Sequence, residues 1–405
     1  MATRRAALIG DAFVDVQVGG VGALPCWGTD VACSSVRLLP GGACGNTARQ
    51  LGALGGCELE AFFYSCVGDD EPGRHYLRTL EAEDSLTSPS RTLRLLPGVP
   101  QSCCVILSGS EDRAMCSCYE TVHRVTTGLF SAELLAESWA LVHLGGYFNC
   151  VGLHDDALLD LLRALKARWS EHGMAAPHPH DCSGKWSGEG GHLRRLPPLD
   201  GGMGNKNVTS QTVRAGEAER EVLHSGLLPL LDVFLPNEAE ACGIASVGEP
   251  TAVATAEEAI DQLTARHPST LVVVKAGGRG ILAGRGGERW EVPAAPVEAF
   301  VDATGAGDVC EAGRGAGDAC SAGFLAQYLR DPADVPTALR WGAAVGALCV
   351  SRAGACETPL AAEEVRAVLE CGAVRRSADV MRKRAGNGAP ALRVAQSTNF
   401  PIKYG

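Results

Sequence analysis

The sequence predicts a doubly wound α/β fold, a mainly parallel sheet with helices on both faces, accompanied by a second, smaller β-sheet. Three observations lead there. Short apolar runs alternate along the chain with stretches that repeat at helical spacing, the pattern of successive βα units. Glycine-rich turns fall where such a run hands over to a helix, around Gly41–Gly45 and Gly305–Gly317. With 405 residues, 46% of them hydrophobic, the chain can fill the core of one α/β domain of this size.

The elements follow in order. Ala6–Val18 reads as a strand with the carboxylates Asp11 and Asp15 near its end, and residues 19–40 alternate as strands of the small sheet would. Gly41–Leu54 is a glycine turn running into a helix, Phe62–Gly68 a strand, and Pro72–Glu83 a helix. Residues 102–108 and 114–122 form a hairpin, Ala140–Leu144 a strand, and Asp155–His172 an amphipathic helix. Val233–Pro236, Leu271–Lys275 and Ile281–Ala283 are strands, and Ala319–Leu329 and Thr337–Ser351 are helices. Strands alternating with helices imply a parallel sheet buried on both faces, and ligands then belong at the carboxyl ends of its strands. Residues 197–226 carry much Gly, Asn, Ser and charge with little periodicity, and read as a disordered insert in a domain spanning 1–374. Residues 375–405 read as a basic, disordered tail.

Composition excludes several classes. No apolar run reaches the roughly 18 residues of a membrane span. Net charge is −11, with no basic stripe before the tail, which argues against nucleic acid as a ligand. The start leaves no room for a secretory signal or a typical transit peptide. The 17 scattered cysteines then fit reduced thiols in the cytoplasm. Cys103-Cys104 and Cys116-x-Cys118 fall in candidate strands without a second pair at zinc spacing.

The chemistry concentrates in one repeat. Gly305–Arg314 is followed at once by a near-copy, Gly315–Phe324, and each opens with Gly-Ala-Gly-Asp. Bare glycine amides at a strand-to-helix turn, with the positive end of the helix, make an anion site. An aspartate at the mouth of that site is suited to taking a proton from a hydroxyl while the amides hold the phosphoryl group under attack. The candidate bases are Asp308 and Asp318, with Gly305, Ala306 and Gly307 or Gly315, Ala316 and Gly317 as the respective anion holes. Continuity with the preceding strand favours Asp308. Continuity with the following helix favours Asp318, because a helix from Val309 to Gly317 would include three glycines, each costing about 1 kcal/mol relative to Ala. The expectation is therefore Asp318 as base, with residues 305–314 looped out.

These motifs, in this order, resemble the ribokinase-like (PfkB) family of carbohydrate kinases. The resemblance rests on Gly41–Ala48 with the following helix, on Val67–Arg74, on Leu235–Glu240, on Val274–Gly280 and on Asp302–Asp308. It implies that Asp15, Gly41, Gly42 and Asn46 contact a sugar. It implies that Asn237 and Glu240 organise Mg²⁺, largely through water, and that Asn237, Lys275, Gly277 and Gly280 border the nucleotide. Asp302 matches a position near a monovalent-cation site, K⁺ for example. Asn237 can open a capping box on its helix as well as serve Mg²⁺, while Asn46, whose alternative is to cap its own helix, is expected at the ligand. The sequence departs from the pattern at Trp341–Val345, where relatives often carry Asn or His facing adenine, and at Ala303, where Thr is usual. The implied activity is transfer of the γ-phosphoryl group of MgATP to a hydroxyl of a small sugar, under a lid built from strands within 11–40 and 102–122. A homodimer through that lid is a further implication. A nucleoside acceptor, or an inactive protein kept for binding, stands as the alternative.

Overall fold

The computed structural model describes residues 3–109, 113–171, 199–200, 226–295, 306–351 and 357–370, and of 113, 170–171, 199–200 and 306–315 the backbone alone. Its main sheet has nine strands in the order β13-β12-β11-β10-β9-β8-β1-β4-β5. These are β1 Arg4–Gly10, β4 Leu59–Gly68, β5 Leu93–Leu96, β8 Leu141–Gly145, β9 Leu199–Asp200, β10 Val233–Phe234, β11 Leu271–Lys275, β12 Ile281–Arg285 and β13 Glu288–Val292. All neighbours from β11 to β5 run parallel, and β12 and β13 close one edge as an antiparallel meander. Alternate residues of the strands feed opposite faces, as the pleat requires. Leu8, Phe63, Val233 and Val273 pack on one side, and Ala7, Ile9, Val142 and Val274 on the other.

The helices are α1 Ala43–Gly55, α2 Glu71–Glu81, α3 Pro89–Thr92, α4 Ser131–Ala136, α5 Asp156–Glu171, α6 Glu238–Ala245, α7 Ala256–Arg266, α8 Ala306–Arg330 and α9 Val335–Val350. Residues of α1, α2, α8 and α9 fill the first core, and those of α4 to α7 fill the second. The expected doubly wound architecture is therefore present. Local chemistry sets several helix starts: the Asp70 carboxylate accepts the Gly73 amide at 3.0 Å before α2, and Asp334 accepts the Thr337 amide at 3.0 Å before α9. Among the described residues, no helix is long and apolar enough to cross a membrane.

The second sheet holds β2 Phe13–Gly19, β3 Ser35–Gly41, β6 Cys103–Ser108 and β7 Arg113–Cys118 in the order β3-β2-β6-β7. A buried hydroxyl pair fastens its root. The Ser102 amide donates to Thr121 Oγ1 at 3.0 Å, and the Thr121 amide donates to Ser102 Oγ at 3.0 Å. This is the sheet expected from residues 11–40 and 102–122, with two differences. The single strand expected over Ala6–Val18 is broken at Asp11–Ala12, where the chain leaves the main sheet for the small one. Of residues 19–40, only 35–40 and Gly19 are strand, and most of the stretch between them is irregular.

Two expectations are corrected. The insert cannot begin at residue 197, because Leu199–Asp200 is a sheet strand whose Leu199 is in register with Leu144 on one side and Phe234 on the other. A two-residue strand shows no alternation by which a sequence could reveal it. Of the stretch 305–314 expected to be looped out, residues 306–314 are helical instead, because α8 runs unbroken from Ala306 to Arg330. Once the buried turns around Ala319, Ala322 and Phe324 have nucleated the helix, each added residue gains a hydrogen bond, and this outweighs the weak propensity of Gly313, Gly315 and Gly317. Residues 201–225 of the expected insert and the tail 375–405 lie outside the described residues.

Candidate active site

The carboxyl ends of the parallel strands gather most of the candidate residues. The chain leaves β1 through Asp11, which is 1% exposed. Its Oδ1 accepts the Cys44 amide at 2.8 Å, and its Oδ2 accepts from Asn149 Nδ2 at 3.0 Å. A carboxylate reaching in from the link after β1 thus serves the start of α1, favoured there by the helix dipole. Gly42 precedes that helix at φ 94°, and a Cβ on it would stand 2.5 Å from the Asp11 carbonyl oxygen. Gly41 is required by close approach, since a Cβ there would meet the carboxyl group of Asp15 at 2.4–2.6 Å. Asp15 itself lies on β2 and is 8% exposed. From behind, the Tyr76 hydroxyl donates to the Gly41 carbonyl at 3.1 Å. Burial keeps that phenol protonated far above its ordinary range.

One turn into α1, Asn46 Nδ2 donates to Asp318 Oδ2 at 3.0 Å. The neighbouring Thr47 hydroxyl donates to the Asp318 carbonyl at 3.4 Å. Asn46 Oδ1 is buried and has no hydrogen-bond partner among the described residues. An unmet buried acceptor costs about 1–3 kcal/mol, and a ligand hydroxyl is one way to meet it.

Lys275, at the end of β11, completes the other side. Its Nζ donates to Ser321 Oγ at 3.1 Å, and Ser321 Oγ donates to the Gly317 carbonyl at 3.0 Å. A Cβ on Gly317 would lie 3.8 Å from the Lys275 ammonium. Beyond Lys275 the chain turns through Gly277 and Gly280, at φ 56° and 102°. The Ala276 amide closes this turn on the Gly280 carbonyl at 2.9 Å. Asn237 bridges Lys275 across the strand ends and begins α6 with a capping box. In the box, Asn237 Oδ1 accepts the Glu240 amide at 2.9 Å and Glu240 Oε2 accepts the Asn237 amide at 2.9 Å.

The capping reading of Asn237 and Glu240 is thus realised. Those bonds engage Asn237 Oδ1 and Glu240 Oε2, and Glu240 is buried at the start of α6. Among the described residues, no group of three or more His, Cys, Asp or Glu side chains could hold a metal. Gly305 and Asp302 lie outside the described residues, while Ala306, Gly307 and Asp308 form the first turn of α8. Ten residues of helix separate Asp308 from Asp318, about 15 Å along the axis, so only one of them can stand beside Asn46. Gly315, Ala316 and Gly317 lie inside the helix, where their amides donate to carbonyls four residues back rather than pointing into an anion hole. Asp11, Thr47, Tyr76 and Ser321 carried no expected role. Asp11 sits in the link between β1 and β2 and the other three are single polar residues within helices, and neither spacing nor periodicity marks such a residue.

The chain matches the pfkB family of carbohydrate kinases over residues 5–174 and 205–313. Among solved structures it resembles Arabidopsis thaliana ribokinase complexed with ribose and ATP, at 19% identity and TM-score 0.64, covering 91% of this chain and 99% of that one. An E. coli protein described as a ribokinase II, in complex with ATP and Mg²⁺, is similar at 21% identity and TM-score 0.65, over 91% and 99% of the two chains. The Methanocaldococcus jannaschii nucleoside kinase is similar at 18% identity and TM-score 0.60, over 91% and 98%. With its fold shared and most of its length matched, this chain belongs to the pfkB family of carbohydrate kinases.

Proposed function

We propose that the protein transfers the γ-phosphoryl group of MgATP to a hydroxyl of a small sugar. The observation that carries this reading is the contact of Asn46 with Asp318. Two motifs far apart in sequence meet there, and a carboxylate stands beside a buried amide oxygen that has no donor among the described residues. A sugar offers adjacent hydroxyls. One could donate to Asn46 Oδ1 while the next gives its proton to Asp318, acting as general base. Asp15, with Gly41 and Gly42, would hold the remaining hydroxyls.

The nucleotide would lie along Lys275, Gly277 and Gly280, with the Lys275 ammonium facing its phosphates. The magnesium that arrives with ATP would neutralise charge on the phosphoryl oxygens. Asn237 and Glu240 would meet its water shell. The small sheet would close over the acceptor and exclude water, which limits simple hydrolysis.

This reading requires one change in α8. For the amides of Gly315–Gly317 to serve a transferring phosphoryl group, the helix must open ahead of Asp318. The glycines in that stretch lower the cost of opening by about 1 kcal/mol each relative to Ala.

The unbroken helix supports a second reading, a protein that keeps the fold and binds ligand without turnover. ATP consumption measured across a panel of sugars and nucleosides separates the two. Turnover with a sugar is expected, turnover with nucleosides alone would move the assignment to a nucleoside kinase, and binding without turnover would leave the second reading.

A further inference from the structure

The ladder between β6 and β7 places Cys103 directly opposite Cys118. Opposed residues of an antiparallel pair point to the same face with Cα atoms about 4.5–5.5 Å apart, inside the roughly 4.4–6.8 Å that a disulfide spans. Other rows of the ladder do not pair two thiols. Cys104 stands opposite Ser117, whose hydroxyl donates to its sulfur at 3.1 Å, and Cys116 stands opposite Val105. Both members of the opposed pair are free thiols, Cys118 exposed and Cys103 half-buried with its S–H donating to the Gln101 carbonyl at 3.4 Å.

Their location gives the pair a consequence. Each is the residue of its strand nearest the body of the protein, close to the Ser102–Thr121 hydroxyl clamp where both strands leave the core. Cys103 is also in register with Val14, the neighbour of Asp15. A covalent link here would tie β6 to β7 at the hinge of the small sheet.

We propose that Cys103 and Cys118 are a reversible thiol–disulfide pair at the root of this sheet, with a low-molecular-weight disulfide of the glutathione type as oxidant. Exposed Cys118 reacts first. Its thiolate attacks one sulfur of the oxidised glutathione, the S–S bond breaks, and one glutathione leaves as thiolate. Cys103 then gives its proton to solvent and attacks the Cys118 sulfur, expelling the second glutathione. Two protein thiols are oxidised to one disulfide, and one glutathione disulfide is reduced to two thiols. Burial first, then the nearby charges of Asp70 and Cys118, push the Cys103 thiol to about 11. It is therefore suited to the second, intramolecular step rather than to meeting the oxidant. The proposal is independent of any catalytic reading.

The test uses the full chain equilibrated over a series of reduced-to-oxidised glutathione ratios, with free thiols then alkylated and peptides mapped without reduction. The expected result is a Cys103–Cys118 linkage that dithiothreitol reverses. A rise of several degrees in the thermal midpoint should accompany it, because a short loop is closed in the unfolded chain. The rise should vanish in Cys118→Ser, an exposed position whose replacement does not disturb the core, and persist in Cys116→Ser. Alkylation of both cysteines at every ratio, a linkage through Cys116 instead, or a midpoint shift that survives in Cys118→Ser would overturn the proposal.

Discussion

Asp318 is the residue on which the chemistry is expected to turn, and its position tests that. Asn46 holds one carboxylate oxygen at 3.0 Å, while Asp308 is about 15 Å away along the same helix. Positioning dominates phosphoryl transfer, so a base displaced that far contributes nothing to the step. Asp318→Asn should lower kcat by roughly 10²–10⁴, the loss typical of a general base, while Asp308→Asn leaves turnover nearly unchanged. Initial rates with MgATP and the preferred sugar give the answer, and a reversed pattern would assign the chemistry to the first repeat. Both aspartates, and Asn46, were legible as candidates from their motifs. Their contact was not, because it joins residues 272 positions apart. Asp11 could be seen at a strand end, but nothing in its surroundings announced that it would hold the Cys44 amide across from another element.

Among elements, α8 decides between an open and a closed phosphate site. Helix propensity argued for a break ahead of Asp318, yet the helix passes through Gly313, Gly315 and Gly317. Propensity is a per-residue preference, and extension of a packed helix overrides it. Gly317→Ala separates stability from function, since the added methyl makes only ordinary contact with Lys275. It should stabilise the protein by up to about 1 kcal/mol and, if the proposed opening of α8 is needed, slow turnover by holding that turn closed. Denaturant unfolding and steady-state rates read both quantities, and a stabilised variant with undiminished turnover would show that opening is not needed. At α6 the capping box makes a different forecast. Asn237→Ala should cost about 1 kcal/mol of stability and raise the Mg²⁺ concentration needed for half-maximal rate. A loss of stability with unaltered magnesium dependence would leave Asn237 a cap and nothing more.

At the scale of the whole molecule, the sheet order is set by crossovers that sequence periodicity cannot report. The long buried strands and amphipathic helices declared the doubly wound class, and the alternation around residues 102–122 declared the hairpin of the small sheet. What stayed hidden was β9, a central strand of two residues lying within a polar, glycine-rich stretch. Its importance is testable. Leu199→Pro removes a backbone donor from a strand paired on both sides, where proline is not tolerated. The thermal midpoint should fall by several degrees. An unchanged midpoint would return this segment to the status of a dispensable insert.

The joining of Asn46 to Asp318 also has a consequence for biosynthesis. At roughly 5–20 residues per second, the 272 residues between them take about 14–54 s to synthesise. Gln50, one turn further along α1, waits longer still, since its side chain exchanges two 2.9 Å hydrogen bonds with the backbone of Leu360. Throughout that interval the proposed acceptor site of the growing chain lacks one of its two sides. On the proposed reading, the chain cannot act on a sugar until Asp318 has been made and has met Asn46.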